Sequence, residues 1–88
     1  MNAPLPAHHT LDQMPLGARC RVLGVAGEPA IRRRLLEMGL CIGVEINVLR
    51  RAPLGDPLEI RLRGYLLSLR RNQAALVRVE ALAVSVAP

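Results

Sequence analysis

The chain has 88 residues, with no Lys, Phe or Trp and a single Tyr, and its twelve Arg against seven acids leave a net charge of +5. A chain this short is one domain that buries only somewhat more than about 60% of the surface its unfolded form exposes, so its core is small and must come from Leu, Val and Ile. No apolar run approaches the roughly 20 residues of a membrane-spanning helix, the N-terminus lacks the basic and apolar regions of a signal peptide, and the two Cys, outside any CxxC pattern, fit reduced thiols; the sequence reads as cytoplasmic.

In chain order, residues 1–9 are rich in Pro, Ala and His without periodicity and read as a flexible tail, leaving a domain over 10–82 and a second tail over 83–88. Thr10-Leu11-Asp12-Gln13 fits a capping box that starts one helical turn, stopped by Pro15 and Gly17, with Leu11 and Met14 plugging one end of the core. Arg19 to Val25 reads as a strand with Cys20 and Val22 on one face. Pro29 to Gly43 is the one segment with helical periodicity: Ile31, Leu35 and Met38, widened by Leu36, form an apolar stripe opposite Arg32, Arg33 and Glu37. Pro29 suits the first helical position, Gly39 the left-handed residue after the last turn, and Leu40 the hydrophobic follower of that cap.

Beyond the helix, Val44, Ile46 and Val48 alternate with Glu45, Asn47 and Leu49, and Leu58, Ile60 and Leu62 with Glu59, Arg61 and Arg63. The turn formers from Ala52 to Pro57 join these two runs into a hairpin. Placing Val48 opposite Ile60 predicts a cross-strand contact between Glu45 and Arg63. Gly64 makes the next bend, Leu67 and Leu69 lie inward in another strand, Arg70 to Ala74 forms one helical turn, and Leu76 to Ala81 is a last strand with Val77 and Val79 inward. The expected architecture is mostly β: five short strands closed into a small barrel, with one inserted α-helix and short helical turns.

The chemistry of an enzyme is missing from the pattern. There is no Ser-His-Asp set, the acids are scattered one per element, and the glycines form neither GxxxxGK[ST] nor GxGxxG. His8 and His9, with Asp12 one turn away, are the candidate ligands for a transition metal, zinc or ferrous iron. A closed site needs around four ligands, so a metal bridging two copies into a homodimer is the form such a site would take. Cys20 alternates with Val22 as a small core residue, whereas Cys41 is more exposed.

The positive case is for a binding surface. If the alternating residues point inward, Leu49, Leu54, Leu66 and Leu76 are left outside or at loop tips, and Arg50, Arg51, Arg61, Arg63, Arg70 and Arg71 rim them. Together with Gly55 and Asp56 in the central loop, they form a candidate docking site for an acidic protein surface. The alternative is a basic nucleic-acid-binding module, but Tyr65 is the sole aromatic side chain on which a base could stack.

Several segments in order resemble the FeoA (ferrous iron transport protein A) family. Leu11, Met14, Gly17, Val22 and Val25 resemble its opening. Arg34-Leu35-Leu36-Glu37-Met38-Gly39-Leu40 followed by Gly43 resembles its helix exit, with Leu35, Gly39, Leu40 and Gly43 as the structural motif. Pro53-Leu54-Gly55-Asp56-Pro57 resembles its central loop, and Gly64, Leu67, Leu69-Arg70, Ala74, Val77 and Val79 its closing pattern. Where the family often has Pro before the glycine after the helix, this chain has Cys41-Ile42. The resemblance implies an SH3-like barrel, a cytosolic accessory component of ferrous iron uptake, and the transition-metal binding widely described for that family; no cofactor is expected to be required, with zinc or ferrous iron as the candidate metal. Such a protein binds the GTPase-bearing cytosolic part of the FeoB permease and is recruited by it to the inner face of the membrane. The same barrel resembles the C-terminal domain of metal-responsive repressors of the diphtheria toxin repressor type, here without a helix-turn-helix.

Overall fold

The computed structural model describes residues 9–82. Among them, strands β1 (His9–Thr10), β2 (Arg19–Val25), β3 (Glu45–Arg51), β4 (Leu58–Leu62), β5 (Tyr65–Leu69) and β6 (Val77–Ala81) form one antiparallel sheet in the order β1-β6-β2-β3-β4-β5. A 3-10 turn (Leu11–Gln13) follows β1, and helices α1 (Pro29–Glu37) and α2 (Arg71–Ala74) follow β2 and β5. The sheet curls around a core in which the alternating residues Cys20, Val22, Ile46, Val48, Ile60, Leu62, Val77 and Val79 are all buried, as a side-chain period of two requires. Leu11 and Met14 are buried in the same core. Strands β1 and β5 are the two edges, and the 3-10 turn and α2, which touch each other, cover the seam between them.

The barrel has six strands where the sequence suggested five. The additional one contains His9, which pairs with Val79 while Thr10 pairs with Arg78, so the ordered sheet begins one residue inside the expected tail. Two residues show no period, and β1 exists because β6 offers it a free edge. The Thr10 N–H donates to Gln13 Oε1 at 3.3 Å, one half of the expected capping box.

The β3–β4 hairpin has the expected register, Val48 opposite Ile60, with a bulge between Val48 and Arg50 that takes up Leu49. The predicted Glu45–Arg63 contact is replaced. Glu45 instead meets Arg19 at 2.9 Å and Arg21 at 3.7 Å on β2. Arg21 lies directly across from Glu45 in the β2–β3 register, whereas Arg63 has left the strand with a positive φ of 49° in the turn to β5.

Helix α1 ends in a Schellman arrangement: the Gly39 N–H donates to the Leu36 carbonyl at 3.0 Å and the Leu40 N–H to the Leu35 carbonyl at 3.2 Å. Gly39 takes φ 108°, and a Cβ there would stand 2.5 Å from the Tyr65 hydroxyl, so both backbone and space demand glycine. The apolar stripe is narrower than its periodicity implied. Leu35 and Leu40 are fully buried, but Ile31 is 41% and Leu36 39% exposed: Ile31 lies in the first turn, away from the cap that meets the core, and Leu36 is rotated about 100° from Leu35 around the last turn.

The two ends of the stripe should therefore differ in urea denaturation. Leu35→Ala is expected to lose about 2–5 kcal/mol, and Ile31→Ala about 1 kcal/mol or less. Equal losses would contradict this placement of the helix.

Candidate docking surface

A concavity runs between α1 and the edge formed by β5 and α2. One stretch of about 500 Å³ lies between Arg34 and Met38 of α1, Ser68 of β5 and the Asp56-Pro57 end of the β3–β4 loop. A second, of about 360 Å³, continues past Ile31 and Leu76, and the two share Arg34, Arg70 and Gln73. The trough is held open by polar ties at its ends. The Tyr65 hydroxyl donates to the Met38 carbonyl, fixing the end of α1 beside the start of β5. Asp56 Oδ1 accepts the Arg71 N–H at 2.9 Å, which pins the loop to the start of α2, and Gln73 Oε1 accepts the Arg70 N–H at 2.9 Å.

Its charge is one-sided. Arg19, Arg21 and Arg50 are matched by Glu45, Glu80 and Glu59 on the outer face of the sheet; exposed pairs of this kind contribute about 0–1 kcal/mol each. Among the described residues Arg34, Arg61, Arg63, Arg70 and Arg71 have no carboxylate within ion-pair distance. Uncompensated cations therefore surround the trough and the adjacent face of β4 and β5, and they favour an acidic partner.

The predicted docking residues divide. Leu54, 92% exposed, is at the tip of the loop whose Gly55-Asp56-Pro57 segment leads into the trough. Leu66, 63% exposed, lies on the outer face of β5 opposite Arg61. Leu76 is half-buried at the far end of the trough. Arg50 is exposed and paired with Glu59 at 3.0 Å. Leu49 and Arg51 sit elsewhere: Leu49 is half-buried in the bulge, and the Arg51 guanidinium turns in to donate to the Met14 carbonyl. Sequence reasoning missed Arg34 and Ser68, since facing them across a trough depends on tertiary packing.

Of the metal candidates, His8 lies outside the described residues, His9 is half-buried in β1, and Asp12 Oδ1 is buried without a hydrogen-bond partner among the described atoms. Among the described residues no three His, Cys, Asp or Glu gather as ligands. The donor set there falls short of the roughly four that a closed site needs. Cys20 is buried, which pushes its thiol up to about 11, and Cys41 is exposed with its Sγ 3.7 Å from the Leu36 carbonyl.

These features define a small SH3-like antiparallel barrel whose distinctive surface is a basic trough beside a sheet edge. A profile of the FeoA domain matches residues 9–81, and the chain belongs to the FeoA domain family. It is 40% identical over 70 residues to a fusion of Fe(2+) transport protein A with the Fe(2+) transporter FeoB from Porphyromonas gingivalis; the match covers 80% of this chain and 8% of that relative, so the chain spans less than a tenth of its length. The solution structure of FeoA from Chlorobium tepidum superposes with a TM-score of 0.77 at 49% identity, over 84% of this chain and 70% of that one. FeoA from Stenotrophomonas maltophilia, solved with zinc and described as a prokaryotic SH3 domain protein, superposes with a TM-score of 0.70 at 32% identity, over 81% and 88% of the two chains. A manganese-dependent transcriptional repressor shares the fold, with a TM-score of 0.80 at 20% identity over 90% of this chain and 39% of that one.

The two thiols should separate by reactivity. At neutral pH a colorimetric thiol reagent is expected to titrate Cys41 alone in the folded protein and both cysteines in denaturant. Because the folded Cys20 pKa is raised from 9.0 to about 11, the contribution of its neutral thiol is complete below pH 9 and is lost as the pH rises towards 11. Denaturation midpoints measured across that window should fall in the native protein and fall less in Cys20→Ala.

Proposed function

We propose that the chain is a non-enzymatic accessory module of ferrous iron uptake that docks on the GTPase-bearing cytosolic part of a FeoB-type permease and shifts it between states. The observation that carries this reading is the fusion relative, in which the segment matching 70 residues of this chain shares one polypeptide with the transporter. A covalent tether raises effective concentration and spares the interface from supplying all the affinity. Where no tether is present, the affinity has to come from the surface of the module itself. Leu54, Leu66 and the unmatched arginines around the trough are the groups available for that purpose. The aliphatic core supports assigning function to the surface, since its buried side chains form a scaffold with no polar member among the described residues. No helix among the described residues is long and apolar enough to cross a membrane, and in this reading the protein works in the cytoplasm, held at the inner face of the membrane by its partner.

Calorimetry against the purified cytosolic region of the permease tests this directly. Binding is expected with a Kd at or below about 10 μM, weakened about tenfold by Leu54→Asp, a loss of about 1.4 kcal/mol. Leu16→Asp, in a separate cavity beside His9 and Ala81, should leave it unchanged. No heat of binding at tens of micromolar would contradict the proposal, as would equal loss from both variants.

A further inference from the structure

Strand β5 is bonded to β4 along one side and, among the described residues, is a free edge along the other. Arg63 and Gly64, with φ of 49° and 82°, form the two-residue turn between them, which makes Leu62 and Tyr65 the hydrogen-bonded pair closing the hairpin. Bonded and non-bonded pairs alternate along an antiparallel ladder. Tyr65, Leu67 and Leu69 thus direct their backbone groups to β4, while Leu66 and Ser68 aim theirs off the sheet. Neither Leu66 nor Ser68 has another backbone partner among the described residues.

Protein edges are usually shortened, charged, bulged or interrupted by Pro. Strand β5 departs from that rule: its five residues, Tyr-Leu-Leu-Ser-Leu, hold no charge and no Pro. The apolar Leu66 side chain stands 63% exposed beside this row of free donors and acceptors. The trough adjoins the edge at Ser68, with Arg34 across from it, Arg70 at its end, and Arg61 opposite Leu66 in the ladder. None of these three arginines has a carboxylate within ion-pair distance among the described residues.

We propose that the β5 edge is a strand-addition site that takes up an extended acidic segment of the protein partner. That segment becomes a seventh strand, its main chain bonded to the N–H and C=O groups of Leu66 and Ser68 and its carboxylates set against Arg34 and Arg70, which line the trough with Ser68. Main-chain bonds supply a sequence-tolerant part of the affinity and the flanking cations supply the preference for acids. The inference rests on reading the chain as a docking module and names the surface and the chemistry of what it receives. A strand carrying basic or large aromatic residues would meet the arginines and the narrow trough unfavourably.

The probe is a fluorescein-labelled, end-capped peptide of alternating Glu and Val, titrated with the full chain and followed by anisotropy. Saturable binding below about 1 mM is expected, at least about tenfold weaker for Ser68→Pro and for Arg34→Glu. Ser68→Pro removes an N–H that faces away from β4, a position where edge strands accept Pro, and its thermal midpoint checks the fold. A probe N-methylated at alternate residues tests the same bonds with the protein unaltered and should lose at least about tenfold. Four results would overturn the proposal: no binding, equal binding of the N-methylated probe, equal binding of a Lys-for-Val or Lys-for-Glu probe, or a dimer of the chain that Ser68→Pro dissociates. If the peptide binds through the edge and the permease region does not bind at all, the edge stands and the assigned partner falls. If the permease region binds the native chain and Ser68→Pro alike while the peptide fails, docking stands and the edge falls.

Discussion

The dry aliphatic interior is the constraint on which everything else depends. Every buried side chain among the described residues is apolar, from Leu11 at one end of the core to Leu35 and Leu40 at the other. Such a core gains its stability from removing apolar area from water and offers no polar group to a ligand. Two consequences follow for the rest of the chain. Strand order and curvature are set by where the alternating Leu, Val and Ile must face, and whatever the protein recognises must be met by backbone edges, loop tips and arginines on the outside.

The outside is not uniform. On the face made by β2, β3 and β6, Arg19 and Arg21 are matched by Glu45 and Glu80, and Arg78 is the exposed arginine there without an ion pair among the described residues. Around β4, β5 and α1 the arginines are left without acids. The same region holds the free sheet edge, the exposed Leu54 loop and the trough. Tyr65 links these parts: its hydroxyl holds the end of α1 through the Met38 carbonyl and lies where a Cβ on Gly39, itself at a positive φ, would have to displace it. The single aromatic residue thus sets the distance between helix and edge, which explains its presence in a chain otherwise built from aliphatic residues.

Much of this fold was legible because a strand advertises itself by alternation. Cys20 with Val22, Val48 with Ile60, and Val77 with Val79 face where their period put them, and the Gly39-Leu40 helix end is a local motif that needs no tertiary information. The misreadings share a cause. Ile31 and Leu36 have helical spacing, yet spacing cannot say whether a neighbour covers them, and here none does fully. Arg51 looked like a surface cation and instead reaches the Met14 carbonyl across the barrel end. Glu45 had two cationic strands to choose from, and extending the hairpin register to Arg63 pointed to the wrong one. The β1 strand is too short to have a period, and the free edge of β5 is a property of strand order alone. For the same reason Arg34 and Ser68 could not be paired before the fold was known.

The account makes surface recognition through one side of the barrel its central claim, with the interior left undisturbed. Amide chemical-shift mapping of the labelled chain on addition of the unlabelled cytosolic region of the permease tests it most directly. Shifts confined to Leu54–Asp56, Leu66–Arg70 and the Arg34 turn, with the β2 and β6 amides unmoved, are the predicted result. Changes spread through the core strands, or confined to the His9 and Asp12 end, would contradict it.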